Sequence, residues 1–199
     1  MSAYGSARTL AACVLAIASL TPAAAWAQLH VDPVASWTRN GDLGAWHPGG
    51  GASIEWLSDR GITAGGDVGY IAGFFDPPQG ALDLIESTHV VTLSGQVGYA
   101  APWRREGPRL RPFVSAGVGV MRQHARDRAG FIDVSRTDPA WNVGGGTRIQ
   151  VRRYFGLKGE LRYFRSLRAP DESPAELTAG FGRLGFWRIS AGGTLRFGG

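Results

Sequence analysis

The chain of 199 residues is weakly basic, with 21 lysines and arginines against 16 aspartates and glutamates, and its 44% hydrophobic content is typical of a folded chain. The basic residues are spread along the chain and do not form a basic helix or an RNA-binding motif, so we expect no nucleic-acid partner. After residue 27, no segment has the roughly 18 uninterrupted apolar residues of a membrane helix. Any membrane span must therefore consist of strands in a closed barrel.

The first 27 residues have the plan of a secretory signal. Arg8 precedes an apolar run over residues 10–20, and a small-residue site follows at Ala25-Trp26-Ala27. A retained membrane helix is disfavoured, because the run is rich in alanine and Pro22 follows it. We expect cleavage before Gln28, which leaves residues 28–199 as one domain. Cleavage also removes Cys13, the only cysteine, and with it any disulfide or thiolate chemistry.

The first four predicted strands alternate apolar with polar residues. They cover residues 31–38, 50–57, 62–74 and 88–99. Pro33 cannot donate a ladder hydrogen bond, so we place it at the start of the first strand. The segments 40–42 and 47–49 are rich in turn-forming residues and predict a loop before the second strand. The third strand is among the clearest, and it ends with Phe74 on its apolar face.

The next four predicted strands continue this alternation. They cover residues 110–122, 141–151, 155–165 and 185–197, and the polar segment 124–139 is predicted to be a loop. In the last strand, Trp187, Ile189, Ala191, Gly193, Leu195 and Phe197 alternate with Arg188, Ser190, Gly192, Thr194 and Arg196. Behind a secretory signal, this pattern predicts lipid on the apolar face and a polar lumen on the other. We expect lipid to contact Val91, Leu93, Ile149, Ile189 and Leu195.

The connections between the eight strands alternate in length. Long loops are predicted near residues 39–49, 75–87, 124–139 and 166–183, and short turns near residues 58–61, 101–109 and 152–154. With both termini in the periplasm, this order places the long loops outside the cell, as in membrane barrels. A soluble lipocalin-like barrel has no reason to alternate in this way, so we favour the membrane barrel.

The closing residues Ala191-Gly192-Gly193-Thr194-Leu195-Arg196-Phe197 and the strand pattern together carry a family resemblance. The chain resembles the small outer-membrane β-barrel proteins of Gram-negative bacteria, the class that includes the transmembrane domain of outer membrane protein A. The resemblance implies an all-β fold, an eight-stranded antiparallel up-and-down transmembrane β-barrel in the outer membrane. Lipid, lipopolysaccharide and, during biogenesis, the barrel assembly machinery are the partners it implies. Gly198 and Gly199 follow the aromatic residue with which the family typically ends.

The alternation predicts a charged lumen, since charged residues occupy the inward face of several strands. An eight-stranded barrel is only wide enough for side chains to fill, so these charges must pair with one another or hold water. Glu160 is the expected centre, because Lys158 and Arg162 share its face and neighbouring strands supply Arg148 and Arg188. The predicted lumenal ionic cluster is Glu55, Asp67, Arg148, Lys158, Glu160, Arg162, Arg188 and Arg196.

The sequence predicts no catalytic, cofactor or metal site. The candidates for a serine hydrolase site are His47, His89 and His124 with Ser53, Ser87, Ser135, Asp76 and Asp138, and they contain no His-x-Ser pair on one strand face. The four histidines are too scattered for a metal site. The glycine triplets at 49–51 and 144–146 do not stand between a strand and a helix, as a phosphate-binding loop requires.

Three classes of function remain open. The favoured class is a non-enzymatic barrel with a structural or surface-interaction role, in which the external loops carry any surface ligand. A small passive, porin-like channel is the first alternative, and a lipid A-modifying enzyme, a deacylase or acyltransferase, is the second.

Overall fold

The computed structural model describes residues 28–40, 46–74, 85–102, 109–127, 133–167 and 184–198. Eight strands make up this part of the chain. They are β1 (Gln28–Asn40), β2 (Trp46–Leu57), β3 (Ile62–Ala72), β4 (Ile85–Ala100), β5 (Leu110–Asp127), β6 (Asp133–Gln150), β7 (Phe155–Ser166) and β8 (Gly185–Phe197). The signal segment 1–27 lies outside the described residues, so its cleavage stays a prediction.

The strands form a closed barrel in which each strand is antiparallel to the next and β1 pairs with β8. Closure leaves no unpaired sheet edge, which is the condition for placing strands in lipid. The structure therefore confirms the predicted up-and-down architecture. No helix among the described residues is long and apolar enough to cross a membrane.

Successive side chains alternate between the inside and the outside of the barrel, as strand geometry requires. In β7, Lys158, Glu160 and Arg162 are buried, while Leu157 and Leu161 are exposed on the outside. The lipid-facing predictions agree with this register: Leu93, Ile149, Ile189 and Leu195 are exposed on the outer face, and Val91 is partly exposed there.

The two ends of the barrel differ. We call the end that holds the turns 58–61 and 151–154 and both ends of the described chain, Gln28 and Gly198, the turn end. In the first of these turns, Gly61 has a φ of 86°, a left-handed conformation that glycine adopts without strain. We call the opposite end, where β1, β3, β5 and β7 finish, the loop end.

Two predicted loops at the loop end are largely strand. Residues 47–49 belong to β2, where they pair with Ser36, Trp37 and Thr38 of β1. Most of the segment 124–139 extends β5 and β6, which have 18 residues each and pair along almost their whole length. Turn-forming and polar residues predict loops here, but continuous pairing with a neighbouring strand stabilises these segments as strand.

Two individual predictions are also wrong. Pro33 lies inside β1, paired with Ala52 of β2, and the pairing of β1 with β8 lapses at Asp32 and Pro33. A proline without an N–H is thus accommodated where one ladder is interrupted. Phe74 lies after the end of β3, and its side chain is fully buried instead of exposed. Gly73 has a φ of 61°, which breaks the strand alternation just before it.

Candidate functional site in the barrel lumen

The lumen is filled by side chains in three layers. A small apolar group of Leu57, Ala100 and Phe113 lies toward the turn end. An apolar group toward the loop end, which we call the plug, consists of Ile71, Phe74, Val90, Met121, Ala140, Phe164, Leu184 and Phe186. Between them lies a layer of paired charges, which we call the ionic layer: Asp32, Glu55, Asp67, Arg148, Lys158, Glu160, Arg162 and Arg188.

Asp32 lies at the centre of the first group of ion pairs. Its Oδ2 is 3.3 Å from Arg148 Nη2 and 3.0 Å from Lys158 Nζ, and it accepts a hydrogen bond of 3.1 Å from Ser53 Oγ. Arg148 Nη1 also donates to Glu55 Oε1 at 2.9 Å. Two carboxylates from β1 and β2 thus neutralise two cations from β6 and β7.

Glu160 belongs to a second group on β7. Its Oε2 is 3.2 Å from Lys158 Nζ, and its Oε1 accepts from the guanidinium of Arg162. Arg162 also donates to Asn142 Oδ1 and, at 2.8 Å, to Ser115 Oγ. Lys158 connects this group to the first, since it contacts both Asp32 and Glu160.

The third group joins the ionic layer to the plug. Arg188 Nη2 lies 2.9 Å from both carboxylate oxygens of Asp67. The guanidinium of Arg188 also lies over the ring of Phe164, 4.8 Å from its centroid. Within the plug, Phe186 contacts Phe74 and Phe164, with ring centroids 5.3 and 5.1 Å apart.

The ionic layer is electrically balanced, with four carboxylates facing four cations. All eight side chains are buried, and none is more than 6% exposed. Burial of charges is costly unless each is paired and hydrogen-bonded, and here every member has a partner of opposite sign. The arrangement holds strands on opposite sides of the barrel together and leaves no excess charge in the layer.

The structure places seven of the eight predicted lumenal residues in the ionic layer. Arg196 is the exception, because it is partly exposed at the turn end. The expected set of partners around Glu160 is wrong in two respects: Arg148 pairs with Asp32 and Glu55, and Arg188 pairs with Asp67. Alternation predicts the face of these residues, and strand neighbourhood predicts their partners. Long arginine side chains, however, reach across the lumen to acids on other strands.

Two lumenal acids, Asp32 and Asp138, are absent from the predicted ionic cluster. Asp32 stands between Val31 and Pro33 in β1, so the same alternation could have placed it inside. Asp138 falls within the predicted loop 124–139, but it lies in the extended β6, where it accepts hydrogen bonds from Gln123 Nε2 at 3.2 Å and from Arg136 Nε at 2.9 Å. Only the extension of the strand pattern upstream of Trp141 could have revealed it.

The candidate catalytic residues are divided between the two faces of the barrel wall. His124 of β5 stands opposite Ser135 of β6 on the outside, whereas Asp138 points into the lumen. His89 is also outside, with its ring centroid 4.8 Å from that of His124, and His47 and Ser53 are inside. Asp76 and the side chain of Ser87 lie outside the described part. No group of three or more His, Cys, Asp or Glu residues that could hold a metal ion occurs in the described ranges.

Comparison with known proteins gives matches among solved structures only. No protein-family model matches the chain, and no curated protein matches it either. Neisserial surface protein A is 14% identical with a TM-score of 0.62, and the match covers 86% of this chain and 97% of that one. A major outer membrane protein from Thermus thermophilus is 13% identical with a TM-score of 0.59, covering 86% and 99%.

A third solved structure is Ail, the attachment invasion locus protein of Yersinia pestis, which is 10% identical with a TM-score of 0.51 over 86% of this chain and 97% of that one. The chain has the fold of the small eight-stranded outer-membrane β-barrels. This finding confirms the fold class predicted from the sequence. At such low identities the likeness concerns the fold, and the residues of the ionic layer are known from this chain's own geometry.

Proposed function

We propose that the protein is a non-enzymatic outer-membrane barrel with a structural or surface-interaction role and a closed lumen. The observation that carries this proposal is the filling of the lumen by two apolar layers and a balanced ionic layer. A passive channel needs a continuous aqueous path, and both the paired charges and the stacked phenylalanines of the plug obstruct such a path.

The outer face supports a place in lipid. Aliphatic side chains exposed on this face include Ile54, Val68, Leu93, Val118, Val143, Leu161 and Ile189. Exposed aromatic residues lie toward the loop end at Trp46, Tyr70 and Trp187, and toward the turn end at Trp56, Tyr99 and Tyr154. Amphipathic rings prefer the headgroup level, so two aromatic belts with an aliphatic band between them fit a membrane-spanning barrel. Lipid and lipopolysaccharide are then the surrounding partners, and the barrel assembly machinery inserts the chain.

The loop end is the proposed surface for interaction. The β5–β6 hairpin has strands of 18 residues, well beyond the roughly 9–11 that a tilted strand needs to span a bilayer. Its outer part therefore extends past the lipid, away from the turn end. The names of two structural neighbours, a surface protein and an attachment protein, agree with such a role.

Two measurements test the proposal. Purified protein in a planar bilayer should show no steady conductance, whereas a sustained ohmic conductance would support the channel alternative. Mass spectrometry of lipid A from cells with and without the protein should give identical acyl patterns, and a lost or added acyl chain would support the enzyme alternative.

Signal cleavage is a separate prediction. N-terminal sequencing of the protein from isolated outer membranes should show Gln28 as the first residue if the signal is cleaved as predicted.

A further inference from the structure

Two histidines stand side by side on the outer face of the barrel, near its loop end. His89 of β4 and His124 of β5 are far apart in the sequence, but they are direct partners in the register of these two strands. Strand alternation places both side chains on the outside, and both are partly exposed. Since the Cβ atoms of directly opposite residues lie about 4.5–5.5 Å apart, one small ligand can contact both imidazoles.

The distance between the two rings suits a shared metal ion. Their centroids lie 4.8 Å apart, with an angle of 35° between the ring planes. The bond from zinc to an imidazole nitrogen is about 2.0–2.1 Å long, so two imidazoles on one tetrahedral ion have centroids roughly 5 Å apart. Either Nδ1 or Nε2 of each ring can bind the ion, since both nitrogens act as metal ligands in proteins.

The surroundings orient this pair and keep it accessible. The ring of Tyr70, on β3, stacks on that of His89 with centroids 5.5 Å apart, which restricts rotation of the imidazole. Tyr70 belongs to the exposed aromatic residues at the loop end, which mark the headgroup level. His89 pairs with Ala72, two residues closer to the loop end than Tyr70. The two histidines therefore lie at the edge of the lipid band, where ions from the aqueous phase reach them.

We propose that His89 and His124 bind a divalent transition-metal ion on the outer face of the barrel, with Cu²⁺ bound most tightly. Imidazole is a suitable ligand for copper, nickel and zinc, and a given site generally has its highest affinity for Cu²⁺. Within the described ranges the site has two protein ligands, and water can occupy the other positions of the ion. The proposal requires only the register of β4 and β5, so it is independent of the closed lumen and of the surface role proposed above.

Electron paramagnetic resonance tests the site in protein that carries no histidine tag and is folded in uncharged detergent micelles. Cu²⁺, titrated near neutral pH in a buffer that does not bind copper, should saturate one site, and pulsed measurements should detect two coordinated imidazoles. His89→Asn and His124→Asn should each leave one imidazole and weaken binding by about tenfold or more. Even the loss of a residue that only orients a metal ligand costs about 10–100-fold in affinity.

The matched control is His30→Asn, which makes the same change at a buried histidine of the lumen. It should keep the affinity and the two-imidazole signal of the wild type, and circular dichroism verifies that all three variants are folded. A signal from a single imidazole in the wild type would overturn the proposal. Unchanged affinity in either His89→Asn or His124→Asn, or an equal loss in His30→Asn, would do the same.

Competition between ions tests the chemical class of the ligand. A large excess of Zn²⁺ should displace Cu²⁺ from the site, because both ions bind imidazole. Mg²⁺ prefers oxygen ligands, so the same excess of Mg²⁺ should leave the two-imidazole signal unchanged. Displacement of Cu²⁺ by Mg²⁺ would assign the copper to oxygen ligands and refute the site.

The charge of Arg122 gives a further test of where the ion lies. Arg122 is exposed on the same face and pairs with Val91, so it is a diagonal neighbour of His89. Arg122→Gln removes a cation that repels the bound ion, and it should strengthen Cu²⁺ binding by about twofold or more at low ionic strength. An affinity that stays the same or falls would show that the ion does not lie beside this pair of histidines.

Discussion

Asp32 contributes more to the ionic layer than its place in a weakly patterned strand suggests. Its Oδ2 contacts Arg148, Lys158 and Ser53, which come from three other strands. A carboxylate shared by two buried cations cannot be lost without leaving both of them undercompensated. A residue absent from the predicted lumenal cluster thus connects β1 to β2, β6 and β7.

Neutralising this carboxylate should be costly. We expect Asp32→Asn, which keeps the shape of the side chain, to lower the free energy of unfolding by about 3–5 kcal/mol, because two buried cations lose their shared anion. Urea unfolding in lipid vesicles, followed by tryptophan fluorescence, measures the change. Asp59→Asn in the exposed turn after β2 is the control and should match the wild type. Equal stability of the two variants would mean that Asp32 is not part of the paired network.

At the scale of the strand, alternation predicts the face of most side chains, with Phe74 as an exception, but it does not predict the ends of the strands. In β8, the predicted range agrees with the observed Gly185–Phe197, because apolar and polar residues alternate to its last residue. In β5 and β6, alternation fades beyond the lipid-facing part, and polar residues there pair with each other across the hairpin. Hydrogen bonds between neighbouring strands determine those ends. Such bonds cannot be predicted from the apolar and polar pattern of one strand alone.

The sequence also does not predict how closely two strands approach each other, and the space around their glycines shows this distance. A Cβ added at Gly119 of β5 would overlap the carbonyl oxygen of Leu93 and lie 2.6 Å from Cα of Ser94. At Gly95 of β4, on the same pair of strands, an added Cβ would have no heavy atom within 4 Å.

Substitution of these two glycines by alanine should affect the stability of the barrel differently. We expect Gly119→Ala to destabilise the barrel by about 1–3 kcal/mol, because the strands must separate to accept the methyl group. Gly95→Ala should leave stability unchanged or raise it by about 0.4–1 kcal/mol through the lower entropy of the unfolded chain. Unfolding in vesicles compares the two, and an equal loss in both would contradict the close packing of β4 against β5.

The outward face of β8 offers a test of membrane placement. Ala191 lies on this face between the aromatic belts marked by Trp187 and Phe197, near the middle of the span. Arginine at a midplane, lipid-facing position costs about 2–4 kcal/mol, so Ala191→Arg should impair folding into vesicles. Ala191→Leu adds bulk without charge and should fold as the wild type does. If both variants fold equally well, this face does not contact lipid.

At the scale of the whole molecule, the lumen has two different barriers in series. The ionic layer resists the entry of ions because its charges are already paired, and the plug excludes water because its side chains are apolar. Composition and alternation predicted the charged interior, but the plug was not foreseen. Alternation places Phe74 on the outer face, and it predicts polar residues at the inward positions that Phe164 and Phe186 occupy.

Because the two barriers lie in series, we expect the lumen to open only when both of them are removed. Phe186→Ala removes the ring that contacts both Phe74 and Phe164, but the ionic layer still closes the lumen. Arg188→Ala removes the partner of Asp67, but the plug remains. In planar bilayers we expect no steady conductance from either single variant and a measurable conductance from the double variant, because only the double variant breaches both layers on β8.

The control for this experiment is the double variant Phe186→Leu/Arg188→Lys, which keeps an apolar side chain in the plug and a cation beside Asp67. It should remain closed if volume and charge, rather than the identity of the residues, seal the lumen. A conductance in Phe186→Ala alone would show that the ionic layer is permeable and that the plug is the true seal. A conductance in Arg188→Ala alone would assign the seal to the ionic layer. If the double variant Phe186→Ala/Arg188→Ala shows no conductance, the remaining side chains of the lumen suffice to block it.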